Sequence, residues 1–571
     1  MMVISRAFLP ILVLLSTCAS LYLKAQYPSY QPPLAGPLLV TGTFGELRSD
    51  HFHAGIDFRA SVGTPVRSVE AGFVSRIIVS PGGYGQAIYI DHPGGYRSVY
   101  AHLNALAPEL LDTVRARQYA EESFAADLRF EPGDFPVEQG QIIGEVGNRG
   151  YSFGPHLHFE IRESETDRAL NPLHFGLNIA DTRYPDLRKI LVYELDEHSR
   201  TLNKHVIDLR RVGEGRYRAA SNPIIVGQPL LGIGIKAYDR QNAMPNYNGI
   251  YSARLWVDST RLHAFRFDGV SFEETRYLNA HTDYAEWKTN TSWFHRLFRL
   301  PADSLSIYAP SNYHGQFRLP PNQTSQVVVE VDDFAGNRSV VEFELKHQEQ
   351  PRPMGSKYNY ELFHDEGNLI RRSDLQFELP LGALYHDVRM LYSQARDESV
   401  DIFSAVHHLH QSTTPIHKAC QLRLKPDASL VDSLRPFAVV ARCLPGGELQ
   451  SLGGRWLDDW LEVSINQFGS YCIMVDQEAP VIENLDFRRS MQSRESFSFR
   501  VADWFGGQES GGRVQYRAEI DGQWILMEQD AKSNKLTYTF DGRIDEGEHQ
   551  FFLKVWDGCG NETTFESFFL R

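Results

Sequence analysis

Gly154-Pro155-His156-Leu157-His158-Phe159-Glu160, read together with His53-Ala54-Gly55-Ile56-Asp57 upstream of it, decides how the rest of the chain is understood. Side chains of an extended strand alternate faces with period two, so a strand here puts His156 and His158 on one face. His53 and Asp57, at positions i and i+4, also share a face in extended chain. The two segments therefore offer three imidazoles and one carboxylate. A catalytic zinc site needs three protein ligands of nitrogen and oxygen type and a fourth position open to water. Gly154-Pro155 before the histidines and Phe159 after them point to a partly buried strand. Two buried imidazoles without partners are costly, which favours a metal or a hydrogen-bonded cluster. Taken alone, the His53/Asp57 pair reads first as a structural hydrogen-bonded pair, and the combination is what points to hydrolytic metal chemistry.

At 571 residues the chain exceeds one hydrophobic core and is expected to form three or four domains. Its 42% hydrophobic and 23% charged residues are those of a globular protein. The 34 Phe and 26 Tyr favour β architecture. The net charge of −15 is spread along the chain, and no basic patch interleaved with aromatics occurs, so a nucleic-acid partner is set aside. The N-terminus reads as an export signal over residues 1–25: Arg6 is the positive region, Phe8 to Leu15 the apolar core, and cleavage falls before Gln26. A lipoprotein reading through Cys18, or an uncleaved anchor, are the weaker alternatives. No later segment approaches the ~20 apolar residues of a membrane helix. Localisation in the periplasm or cell envelope follows. Cys420, Cys443, Cys472 and Cys559 remain after cleavage and fit either disulfides, with Cys420–Cys443 the first candidate pair, or buried thiols.

Residues 26–186 read as an antiparallel-sheet domain of short strands broken by glycine turns such as Gly82-Gly83-Tyr84-Gly85 and Pro93-Gly94-Gly95. Residues 105–130 break that rhythm with a helical pattern through Leu106, Leu110, Leu111, Val114, Tyr119, Phe124 and Leu128. This insertion is expected either to border the cleft or to be a surface excursion. Beyond it the chain is strand-rich. Asp333-Phe334-Ala335-Gly336-Asn337 and Asp557-Gly558-Cys559-Gly560-Asn561 repeat an Asp-x-x-Gly-Asn pattern, chemically hairpin-turn material. It resembles the last hairpin of bacterial immunoglobulin-like sandwiches, which implies β-sandwich domains at 187–346 and 478–571. A β-rich domain of undefined role lies between, at 347–477. His407, His408 and His410 in that domain read as a solvated face or loop.

Tyr100-Ala101-His102-Leu103 completes the set. In this order, HAGID, YAHL and GPHLHFEIR resemble the lysostaphin and LytM zinc peptidases, peptidase family M23, over about residues 36–175. Carried over residue by residue, the resemblance implies one zinc per chain held by His53, Asp57 and His158, with His102 and His156 flanking the metal as catalytic groups. One of those two would take the water proton and the other would donate to the oxyanion; the sequence leaves the assignment open. The implied substrate is the peptide part of peptidoglycan, with the β domains positioning the enzyme on wall or partner proteins. Ser152-Phe153-Gly154 departs from the family's usual Ser-Thr-Gly and places an aromatic beside the groove. The alternatives are a noncatalytic envelope protein that binds or activates through the same cleft, and an adhesin or scaffold built on the sandwiches.

Overall fold

The computed structural model describes residues 27–311, 314–351, 355, 357–396, 402–503 and 514–571. The signal segment and Cys18 lie outside the described residues. Among the described residues no helix is long and apolar enough to cross a membrane.

The N-terminal domain is built on a sheet of β1 (Val40–Gly42), β2 (Ile56–Arg59), β3 (Gly72–Val79), β4 (Gln86–His92), β5 (Tyr96–Ala101), β6 (Ala126–Arg129) and β7 (His156–Glu163). The strands lie in the order β1-β2-β7-β5-β4-β3-β6 and pair antiparallel. β7, the last of these in the chain, inserts between β2 and β5. Its register sets His158 opposite Asp57 on one side and Ala101 on the other. Residues directly opposite share a face, so Asp57 and His158 emerge together, and His102 follows at the end of β5. The reverse face carries Phe58, Leu157, Phe159 and Ile161 into an aliphatic and aromatic core with Tyr100 and Ile88. That alternation fixes the register, because a one-residue slip would drive the histidines into this core.

Two glycines keep the strands close. A Cβ on Gly55 would meet the Phe159 carbonyl oxygen at 2.4 Å, and one on Gly42 would meet Asp57 Oδ2 at 2.5 Å. The glycine of HAGID thus serves the β2–β7 pairing.

The 105–130 stretch is not one helix. Residues Ala105–Leu106 join a small sheet with Pro65–Arg67 and Ile142–Glu145, α1 (Pro108–Glu121) follows, and β6 then closes the edge of the main sheet. The apolar positions at 124 and 128 belong to the segment around β6, where Ala126 and Leu128 alternate inward. A period-two stretch had continued the apolar spacing of the helix, which is why the two elements merge in the sequence.

Strands from Asp186–Leu195 to Arg338–His347 follow the N-terminal domain. This region carries helical pieces at Phe272–Tyr277, Leu278–His281 and Tyr284–Asn290 that the sequence did not reveal, each too short for a 3.6-residue period to register. Its Gly269–Val270 strand pairs with Ala169–Leu170 of the N-terminal domain. Phe44, Phe52 and Ala169 are buried in the same apolar cluster as Phe265, Phe267 and Val329. The two domains therefore share a core.

Residues beyond 358 form a two-stranded and two five-stranded sheets and, after 480, two four-stranded sheets. In the first of these domains His407 is buried and bonds the Tyr392 hydroxyl at 3.0 Å, so the histidine cluster is not a solvated face. It lies on the strand Val406–Leu409, whose alternation turns His407 inward. The candidate Cys420–Cys443 disulfide is not formed: Cys420 is a buried thiol, and Cys443 Sγ instead stands 4.0 Å from Cys472 Sγ on the neighbouring strand. The C-terminal sandwich folds back on α1. Tyr119 donates to Asp541 at 3.2 Å and meets Trp524 edge-on, and Arg517 pairs with Glu122 at 2.6 Å.

Candidate metal centre and cleft

His53 stands just before β2, Asp57 on β2 and His158 on β7, and their donor atoms form a tight triangle. His53 Nε2 lies 3.1 Å from Asp57 Oδ1 and 3.0 Å from His158 Nδ1, which is 2.9 Å from the same carboxylate oxygen. Ligands at ~2.0–2.1 Å from a tetrahedral zinc stand about 3.3 Å from one another. The triangle is close to that size, and its N₂O donor set fits the ion.

The outer hydrogen bonds fix each tautomer. His53 Nδ1 donates to the Thr43 carbonyl at 2.8 Å, which turns the Nε2 lone pair inward. His158 is reversed: Nε2 donates to Glu160 Oε1 at 2.8 Å and Nδ1 faces the triangle. Glu160 is fully buried and accepts also from Arg162 Nε at 2.6 Å and the Tyr84 hydroxyl at 2.5 Å. Burial would raise its pKa, but the Arg162 charge and the His158 bond hold its carboxyl well below the usual range. For His158, burial works against charge, yet the bonds to Asp57 and Glu160 push its pKa up to about 9. Burial likewise opposes ionisation of Asp57, but His53 and His158 keep it well below the usual carboxylate range.

His102 takes a left-handed backbone conformation, φ 61°, directly after β5, and its Nδ1 donates to the Arg149 carbonyl at 2.8 Å. His156 Nδ1 donates to the Gly154 carbonyl at 2.8 Å, with Ser152 Oγ at 3.2 Å. The two rings lie 4.9 Å apart. Burial, then the neighbouring histidines, lowers the His102 pKa to about 3, and burial lowers that of His156. Both rings are therefore neutral near pH 7 and present a bare Nε2 as proton acceptor.

All five residues border one cleft of about 1050 Å³. Phe153 stands fully exposed on its rim beside Tyr151, and the 105–130 insertion contributes nothing to the lining. His51, whose sequence setting offers no reason to single it out, also lines it and bonds Asp50. Met244 and Asn246 reach it from the following domain. Glu160, Arg162 and Tyr84 were missed as well. The first two were legible, because His156, His158, Glu160 and Arg162 continue one period-two face of β7.

Residues 148–154, whose carbonyls orient both flanking histidines, are held from outside the domain. Lys532 Nζ donates to the Asn148 and Ser152 carbonyls at 2.6 and 3.0 Å, and Arg149 pairs with Glu528 at 2.9 Å. A Lys532→Ala chain is expected to exchange the amides of 148–154 several-fold faster in hydrogen–deuterium exchange. Its stability should fall by no more than about 1 kcal/mol, because exposed contacts of this kind contribute little. A Glu160→Gln chain is expected to bind zinc ~10–100-fold more weakly in chelator competition, the usual cost of disturbing the partner of a ligating histidine.

A family model for "Peptidase family M23" matches residues 51–120 and 124–172, and one for a "Zu5-like domain" matches 359–476. DD-carboxypeptidase/endopeptidase Mpg of Neisseria meningitidis is 34% identical over 131 residues, 23% of this chain and 24% of that protein. Lysostaphin of Staphylococcus simulans is 31% identical over 126 residues, 22% of this chain and 21% of that protein. The chain thus spans about a quarter of the length of these relatives. The catalytic domain of the prophage-encoded M23 protein EnpA from Enterococcus faecalis is 28% identical, with coverage of 27% of this chain and 98% of that one at a TM-score of 0.20. Residues 51–172 of this chain are thus similar to peptidases of family M23, lysostaphin among them.

Proposed function

We propose that this chain is an exported zinc metalloendopeptidase that hydrolyses peptide bonds of peptidoglycan. The observation that carries the reading is the His53–Asp57–His158 triangle, its three donor atoms within 3.1 Å of one another and each turned inward by an outer hydrogen bond or by its strand register. These three residues would hold one zinc ion, which when bound supplies a Lewis acid and a water whose pKa falls towards ~7. The names of relatives, a DD-carboxypeptidase/endopeptidase and a glycyl-glycine endopeptidase, support a peptide substrate.

The residues then divide the work. Glu160 and the Thr43 carbonyl keep the His158 and His53 rings from turning, so little reorganisation accompanies binding of the reacting groups. His102 and His156, both neutral with Nε2 bare, are each able to take the proton of the attacking water. The ring that takes it becomes an N–H donor for the departing amine or the developing oxyanion. Phe153 and Tyr151 at the rim would pack against the substrate peptide. The outer domains would position the enzyme on wall or partner proteins.

The test is zinc content together with digestion of purified peptidoglycan by the chain lacking residues 1–25. One zinc per chain is expected, with soluble fragments that disappear on chelation and return with zinc. Zinc without fragments would sink the substrate assignment, and absence of zinc would sink the metal centre.

A further inference from the structure

The Asp-x-x-Gly-Asn motif of the first sandwich does more than turn a hairpin. Asp333 Oδ1 accepts from the backbone amides of Gly336 and Asn337, at 2.7 and 2.8 Å, and its Oδ2 accepts from Asn337 Nδ2 at 2.7 Å. The Asn337 amide also donates to the carbonyl of Asp181, at 3.3 Å, on the segment that leads from the M23 domain into the sandwich. Asp239, just past the strand Leu230–Tyr238, completes a group of three. One carboxylate oxygen from each of Asp181, Asp239 and Asp333 lies within 4.8 Å of the others.

Three carboxylates this close repel one another, and among the described residues no Lys or Arg side chain forms an ion pair with any of them. Asp239 is only 3% exposed, and its Oδ1 has no hydrogen-bond partner. Asp181 Oδ2 is likewise buried and unpartnered. Asn248, paired with Asp239 across a β-bridge and hence on the same face, is 1% exposed with both side-chain polar atoms unpartnered. Orphaned buried oxygens in a native fold ask for a water or an ion, and an anionic group of this kind asks for a cation. Burial, then Asp333 and Asp181, drives Asp239 well above the usual carboxylate range, the cost of holding these charges together unaided.

We propose that Asp181, Asp239 and Asp333 bind a calcium ion at the junction of the M23 domain and the first sandwich. Oxygen-only donors suit a hard cation. Calcium takes six to eight oxygens at ~2.3–2.6 Å in adaptable geometry, so oxygens up to about 4.8 Å apart can share one ion. Magnesium demands a tighter octahedron, and zinc prefers nitrogen and sulfur. The site adjoins a cavity of about 210 Å³ lined by Thr43, Phe44 and Ile56 of the M23 domain and by Gly249, Tyr251 and Phe334 of the sandwich. An ion on the connecting segment would stiffen the joint from which Met244 and Asn246 reach the cleft. The C-terminal sandwich repeats the arrangement with Asp476, Asp503 and Asp557, where Asn561 donates to the Asp476 carbonyl at 3.0 Å. The assignment rests on the first group, in which Asp239 Oδ1 and Asp181 Oδ2 are orphaned.

The test is calcium chloride titrated by calorimetry into the metal-stripped chain lacking residues 1–25, up to about 1 mM, the range of extracellular calcium modules. Asp239→Asn and Asp181→Asn are each expected to bind one equivalent of calcium fewer than wild type. Without calcium, Asp239→Asn should unfold at or above the wild-type midpoint, because the substitution removes repulsion; with calcium, wild type should overtake it. Asp181→Asn, on the connecting segment, serves if Asp239→Asn fails to fold. No calcium bound by wild type, or equal stoichiometry in wild type and both variants, would overturn the assignment.

Discussion

A His158→Ala chain is expected to lose stoichiometric zinc and to cleave peptidoglycan at least ~10³-fold more slowly, the scale of removing a principal source of transition-state charge stabilisation. The residue is both a corner of the donor triangle and the link to Glu160. Alanine leaves two donors, His53 Nε2 and Asp57 Oδ1, where a catalytic zinc site uses three. The fold should survive. Glu160 keeps its bonds to Arg162 and Tyr84, so the loss of one buried partner costs about 1–3 kcal/mol. Metal analysis and a melting curve on the same sample separate the two effects. Unchanged zinc stoichiometry in this variant would refute the ligand assignment.

His102→Ala and His156→Ala are expected to behave differently. Each should retain zinc and lose ~10²–10⁴-fold in kcat, the usual worth of a positioned proton-transfer group. Neither residue belongs to the donor triangle, and each ring is tethered through Nδ1 to a carbonyl of the 148–154 stretch. Because both rings contact one another and act on one proton path, the double variant should lose far less than the product of the single losses. Zinc lost together with activity in either single variant would make that histidine a ligand. The Lys532→Ala variant adds a related readout, since a freer 148–154 stretch should loosen both rings at once.

Local pattern made the centre of this protein readable. His156, His158, Glu160 and Arg162 alternate along one strand, and period two is a property of extended chain that needs no partner strand. The same reasoning covers the burial of Phe159 and the glycine turns between strands. The expected domain limits rest on turn residues that punctuate the strand-rich text at 348–358 and 476–480.

Other features depend on which strands meet, and the linear order of motifs does not contain that. Insertion of β7 between β2 and β5 brings His53, Asp57, His102 and His158 from separate stretches into one cleft, and its register makes Asp57 and His158 direct neighbours. Tautomers follow from carbonyls such as those of Thr43 and Arg149, distant in sequence and contributed by backbone, which carries no residue signature. The insertion after β5 merged a helix with an edge strand because apolar spacing alone cannot say where hydrogen bonding changes direction. Only packing between domains brings Met244 to the cleft, sets Lys532 under the 148–154 stretch, and turns two ordinary Asp-x-x-Gly-Asn turns into clusters of converging carboxylates. Sequence determined the donor types and their faces; tertiary structure decided which faces met, because long-range pairing is set by the cooperative burial of the whole sheet.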